Sequence, residues 1–188
     1  MIAVGAHLEA HEETHGDFST KNIVVTEDKE YKLIDSRLLA AGAEPVHYAI
    51  TEDSKTEGRY ISPSIFAALG RKENKTRLQH NAVKSDVFSL GMTILEAATL
   101  QNLDHVYNWE KYEIEAEKIA DLLKELTEQK RYSPILLQTI EYMVNTNEEL
   151  RPNFQKLDSE LSKYRADIKA RTLKVEVKSI FLVLNRQN

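Results

Sequence analysis

None of the 188 residues is cysteine, so neither a disulfide framework nor a cysteine-ligated zinc is available, and the chain suits a reducing compartment. Basic charge is short as well. Against 30 Asp and Glu stand 25 Lys and Arg, for a net charge of −5 and an isoelectric point near 5.7. That balance excludes nucleic acid as a general partner, because phosphate binding wants a clustered basic surface. Long hydrophobic runs are also missing. Met1 to Ala6 is too short for a signal peptide's apolar core and carries no basic flank, and the longest late apolar run, Ile180 to Leu184, is too short to span a bilayer. A soluble, cytoplasmic protein without membrane contact is expected.

What is present suffices for one core. Hydrophobic residues make up 41% of the chain, and nothing in the composition points to disorder or to repeats. The densest chemistry is early, in His15-Gly16-Asp17-Phe18-Ser19-Thr20-Lys21-Asn22. Ile23 to Thr26 and Tyr31 to Ile34 follow as short β-branched or aromatic runs. The polar stretch Thr26 to Glu30 joins them, which reads as a hairpin that brings Asp35 back towards Asn22. Before this loop, good helix formers over residues 1 to 14 predict the end of a helix, with Gly16 as its stop. That segment also holds His11-Glu12-Glu13-Thr14-His15, a literal H-E-x-x-H with His7 one helical step back. On a helix such spacing holds zinc with the Glu as general base. The pattern arises often by chance, and no extension of glycine and histidine follows it. Exposed faces for His7 and His11, and packing for His15, are the bland alternative.

Further on, Ser85-Asp86-Val87-Phe88-Ser89-Leu90-Gly91-Met92-Thr93-Ile94-Leu95-Glu96 is apolar on most sides, with Ser85 or Asp86 able to cap its start. Such a helix is buried. Amphipathic helices are predicted over Tyr112 to Gln129, Pro134 to Val144 and Phe154 to Tyr164, and a shorter one over Ile65 to Leu69. Pro134 suits a first turn.

The loop resembles the H-R-D-L-x-x-x-x-N catalytic loop of the protein kinases, and Asp35 falls where that family has the Asp of D-F-G. Tyr60-Ile61-Ser62-Pro63-Ser64 resembles the Y-x-A-P-E end of the activation segment. Ser85 to Glu96 looks like the D-V-W-S-L-G-x-x-L-x-E helix, and Arg151-Pro152 like the late R-P turn. Each motif alone is weak, but the set stands in order over residues 8 to 165. The resemblance implies an α+β, mainly α fold: a kinase-like large lobe over residues 1–165, with a central buried helix and a small β-hairpin. Residues 166–188 are expected to be an extension of unknown role, and no counterpart of the family's small lobe precedes Asp17.

The resemblance also assigns roles. Asp17 would be catalytic, orienting the nucleophile and taking its proton, while Asn22 and Asp35 would hold Mg2+ and through it ATP. His15, Asp86 and Arg151 would support the site, and Thr51, Ser54 and Thr56 are candidate phosphorylation sites. The implied function is phosphotransfer from ATP to a protein hydroxyl. Ser19 stands where serine/threonine kinases have Lys and tyrosine kinases have Ala, which leaves the substrate class open. Ser36-Arg37 replaces Phe-Gly, and Ser64 replaces a Glu that would pair with Arg151, so that Arg151 needs another partner, with Glu148 or Glu149 nearest in sequence. These departures favour a second reading, a catalytically impaired pseudokinase or truncated lobe acting as a protein-binding module. A zinc hydrolase is the remote alternative. The expected partner is a protein, as substrate or binding partner, with self-association through the uncovered lobe surface.

Overall fold

An Asn followed by Ala-Val-Lys opens the longest helix. In the computed structural model, which describes residues 1–34, 58–71 and 80–166, helix α3 spans Ala82–Thr99 and Asn81 caps it, its side chain accepting from Lys84 N at 3.0 Å. The sequence expectation placed this start at Ser85 or Asp86. Asn81 wins because its side chain reaches the backbone N–H three residues on, and Asp86, a turn inside the helix, spends its carboxylate elsewhere. Val87, Phe88, Leu90, Met92 and Leu95 are fully buried, which makes α3 the central element. Ala97, on the outer side of the same helix, is exposed.

Two apolar clusters lie against α3. The larger gathers Phe66 from α2 (Pro63–Gly70), Phe88, Met92 and Leu95 from α3, Leu122 and Leu126 from α4 (Ala116–Gln129), and Ile140 from α5 (Pro134–Met143). The smaller consists of Phe18, Val87, Leu90, Met143, Phe154 and Leu157. Ile94, partly buried, packs on both. Residues 154–166 are helical, and this helix meets α1 (Ile2–Ala10) so closely that a Cβ on Gly5 would fall 2.6 Å from the Phe154 ring. Burial of this kind stabilises each element more than its own propensity does.

Proline placement follows the first-turn rule in both α2 and α5. Helix α4 begins later than the apolar period suggested, because Tyr107–Asn108 (β3) pairs with Glu113–Ile114 (β4) as a short antiparallel ladder. Tyr112 turns that ladder with φ 54°. Ile114 therefore belongs to a strand, while Ile119, Leu122 and Leu126 keep the helical spacing.

The hairpin beside the loop forms from Ile23–Val25 (β1) and Tyr31–Leu33 (β2), in the register Ile23 to Leu33, Val24 to Lys32 and Val25 to Tyr31. The polar turn closes by Thr26 N donating to Glu30 O at 2.9 Å, with Lys29 at φ 61°. The described fold is α+β and mainly α, as the sequence implied. Among the described residues no helix is long and apolar enough to cross a membrane.

Candidate active site

A loop of eight residues holds its shape here by lending its backbone donors to a distant carboxylate. Asp86 Oδ2 accepts from His15 N at 2.7 Å and Asp86 Oδ1 from Gly16 N at 2.9 Å, so one buried side chain of α3 fixes the loop's entry. Asp86 is thus not the helix cap. Gly16 has φ 74°, the left-handed region glycine enters without a Cβ penalty. Thr93, two turns along α3, donates to Phe18 O at 2.9 Å and ties down the middle of the loop.

His15 sits between the loop and the hairpin. Its Nε2 lies 3.1 Å from Ile34 O, and its Nδ1 lies 3.2 Å from Asp17 N. A carbonyl can only accept and a backbone N–H only donate, so the proton belongs on Nε2 and the lone pair on Nδ1. Phe18 packs against the His15 ring at 5.2 Å and against Phe154 at 5.4 Å, anchoring the loop in the smaller cluster.

On this base stands Asp17, 4% exposed. Asn22, fully buried, donates from Nδ2 to Asp17 Oδ2 at 2.7 Å and to Asp17 O at 2.9 Å. A carboxylate so shielded needs a partner charge. It has one in Arg59, whose Nε lies 3.6 Å from Asp17 Oδ2. Nothing in the sequence signalled this contact, since Arg59 lies outside the motifs, just before Tyr60, and its approach to Asp17 depends on the fold. Ser19 Oγ is buried without a hydrogen-bond partner.

Asp35 and the candidate phosphorylation sites Thr51, Ser54 and Thr56 lie outside the described residues, as do Ser36 and Arg37. Asp17 and Asn22 are brought together; of the two residues expected to hold Mg2+, Asn22 carries an amide oxygen of the type that suits a hard cation, and Asp35 is the one outside the described residues.

Arg151 lies far along the chain and is 1% exposed. Its Nε and Nη2 donate to Asn145 O at 2.9 and 2.7 Å, its Nη1 donates to Lys84 O at 2.9 Å, and its guanidinium lies 4.9 Å from the centre of the Phe88 ring. Sequence proximity had suggested Glu148 or Glu149 as its partner. Backbone carbonyls take that place, and Glu148 instead accepts from Ser64 Oγ at 2.9 Å. Burial lowers the Arg151 pKa to about 10, opposed by the nearby Glu148 charge. A short hydrogen-bonded chain neighbours it, in which Ser85 Oγ lies 2.9 Å from Ser62 Oγ and 2.8 Å from His80 Nδ1. Both serines are buried.

The H-E-x-x-H segment does not form the helix that its zinc chemistry needs. α1 ends at Ala10, Glu12 has φ 58°, and His11 Nδ1 bonds back to His7 O at 2.8 Å. His15 turns inward to the hairpin. Among the described residues no three His, Asp or Glu side chains are grouped to hold a metal ion.

Comparison with known proteins agrees with this geometry. The family profile "Protein tyrosine and serine/threonine kinase" matches residues 1–161. The chain is 33% identical over 93 residues to the membrane-associated tyrosine- and threonine-specific cdc2-inhibitory kinase wee-1.3 of Caenorhabditis elegans. That match covers 50% of this chain and 12% of the relative, so the chain spans a small part of that protein's length. With the profile covering most of its residues, the chain belongs to the protein tyrosine and serine/threonine kinase family.

Proposed function

We propose that this chain supplies the substrate-side half of a phosphotransfer site, acting on a hydroxyl of a protein. The observation that carries the reading is the placement of Asp17: a buried carboxylate, oriented by Asn22, on a loop whose backbone is gripped by Asp86 and Thr93. Such preorganisation is what a group accepting a hydroxyl proton needs, because its position must not be regained at each turnover. ATP·Mg2+, when bound, supplies the phosphoryl group and spreads its negative charge. Asn22 and Asp35 would hold the metal. Asp17 aligns the hydroxyl and takes its proton as the new O–P bond forms and the bond to the leaving diphosphate breaks.

Full-length protein and its Asp17→Asn variant, incubated with labelled ATP·Mg2+ and a mixed protein substrate, test this. A loss of about 10²–10⁴-fold in transfer is expected, with the urea midpoint nearly unchanged. Equal transfer by the two proteins removes Asp17 from the role.

A second reading is favoured by the Ser19 hydroxyl, buried and unpartnered in the loop where many family members carry a lysine. In it the lobe binds a protein partner without efficient catalysis. Transfer by wild type no greater than by Asp17→Asn, together with intact folding, supports this second reading against the first.

A further inference from the structure

Arg59 is placed in an unusual electrostatic position. Its Nε is 3.6 Å from Asp17 Oδ2, beyond the 2.7–3.2 Å range of an N–H···O bond. That Nε is shielded from solvent yet has no hydrogen-bond partner. Asp17 Oδ2 already accepts from Asn22 Nδ2 at 2.7 Å, so the carboxylate does not depend on Arg59 for a donor. The pair is one of charge, with the arginine side chain 30% exposed and the aspartate side chain 2% exposed. Arg59 is therefore the solvent-side member of the pair.

The backbone that follows Arg59 is held by the core. Gly58 has φ 76°, and a Cβ there would stand 3.9 Å from Thr20 Oγ1 of the catalytic loop. Tyr60 is 3% exposed and accepts from Leu103 N at 3.2 Å, and Ile61 O accepts from Tyr107 Oη at 2.8 Å.

We propose that Arg59 is a specificity-determining residue that selects a protein segment bearing an anionic group, a carboxylate or a phosphate, beside the accepting hydroxyl. The inference rests on the phosphotransfer reading for the location of that hydroxyl. A neutral segment leaves Arg59 on Asp17, where its charge and bulk compete with the hydroxyl. An anion one or two residues away offers the guanidinium two acceptor oxygens in the fork geometry it matches best, and draws it off the carboxylate. Binding and unmasking of Asp17 are then one event.

The test is nucleotide-free fluorescence anisotropy of full-length protein with three serine peptides that differ at the residue next to the serine: Gln, Glu or phosphoserine. The Glu and phosphoserine peptides are expected to bind about tenfold more tightly than the Gln peptide, as one charge-assisted hydrogen-bonded pair would give. Arg59→Gln should reduce that gap to less than about twofold. Arg59→Lys should keep the sign of the preference and lose part of the phosphoserine advantage. A gap for phosphoserine alone assigns the anion as phosphate, and a gap for both admits a carboxylate. The proposal is overturned by equal binding of the three peptides, by a gap that survives Arg59→Gln in folded protein, or by no binding of any peptide. Transfer from labelled ATP is scored separately, so an intact anion preference without transfer counts against the phosphotransfer reading and leaves the anion site standing.

Discussion

Asp86 bonds two backbone donors 71 and 70 residues away with its two oxygens, and neither oxygen is replaceable by an apolar group. Asp86→Ala should destabilise the protein by roughly 2–5 kcal/mol, since each buried N–H left unsatisfied costs about 1–3 kcal/mol. Asp86→Asn should recover at most half of this, because its amide offers one acceptor oxygen and turns a donor towards the other N–H. Urea denaturation measures both, and a loss below about 0.5 kcal/mol for the alanine variant would show that the loop does not lean on this carboxylate. His80 gives a residue-scale prediction about pH. Burial lowers its pKa from the ordinary 6.5, against the raising influence of Glu148. The folded state then binds fewer protons than the unfolded chain, so this contribution to stability is present in full above about pH 6.5 and fades as the pH falls through the lowered folded value. The urea midpoint of wild type should drop between pH 7 and pH 5, and His80→Gln should flatten that slope; identical slopes would detach the acid response from His80.

At the scale of elements, the close approach of α3 and α5 is the decisive contact. A Cβ on Gly91 would fall 2.7 Å from Met143 Cβ and 2.9 Å from Val144 Cγ1. Two effects oppose each other in Gly91→Ala: mid-helix alanine gains about 1 kcal/mol of propensity, and forcing a methyl into a packed contact costs about 1–3 kcal/mol or more. With Met143 buried in the smaller cluster and unable to retreat, the clash should win and the variant should melt below wild type. A higher melting temperature would mean that the two helices part easily. What sequence could reveal divides along the same line. The apolar spacing of Ile119, Leu122 and Leu126, or Pro134 at a first turn, depends on neighbours within one helix and was legible. The cap at Asn81, the strand pair that delays α4, and the carbonyl partners of Arg151 depend on which distant backbone arrives, and no local pattern encodes that. The site shows the same division: the residue types of His15, Asp17, Asn22 and Asp86 stood out by spacing, whereas the charge beside Asp17 comes from a segment whose approach only folding determines.

For the whole molecule, α3 lies between two apolar clusters and contributes to both, with Ile94 packed against each. Phe18, the neighbour of Asp17, belongs to the smaller cluster, so the geometry of the site depends on packing that no substrate touches. If the clusters were independent, truncation in one would leave the other's melting unchanged. The shared helix argues otherwise, because unfolding one cluster strips apolar cover from residues on the opposite face of α3. Leu90→Ala, in the smaller cluster, and Leu95→Ala, in the larger, both remove fully buried side chains and should each cost about 2–5 kcal/mol. Each variant should still unfold in urea in one transition, with a lower midpoint and an unchanged slope, whether followed by near-ultraviolet dichroism or by fluorescence of Trp109, which packs on the larger cluster. Two separated transitions for Leu90→Ala, with the Trp109 signal persisting after the dichroism is lost, would show that the lobe is two loosely coupled bodies. Asp17, carried on the same loop as Phe18, would then be positioned by the weaker one.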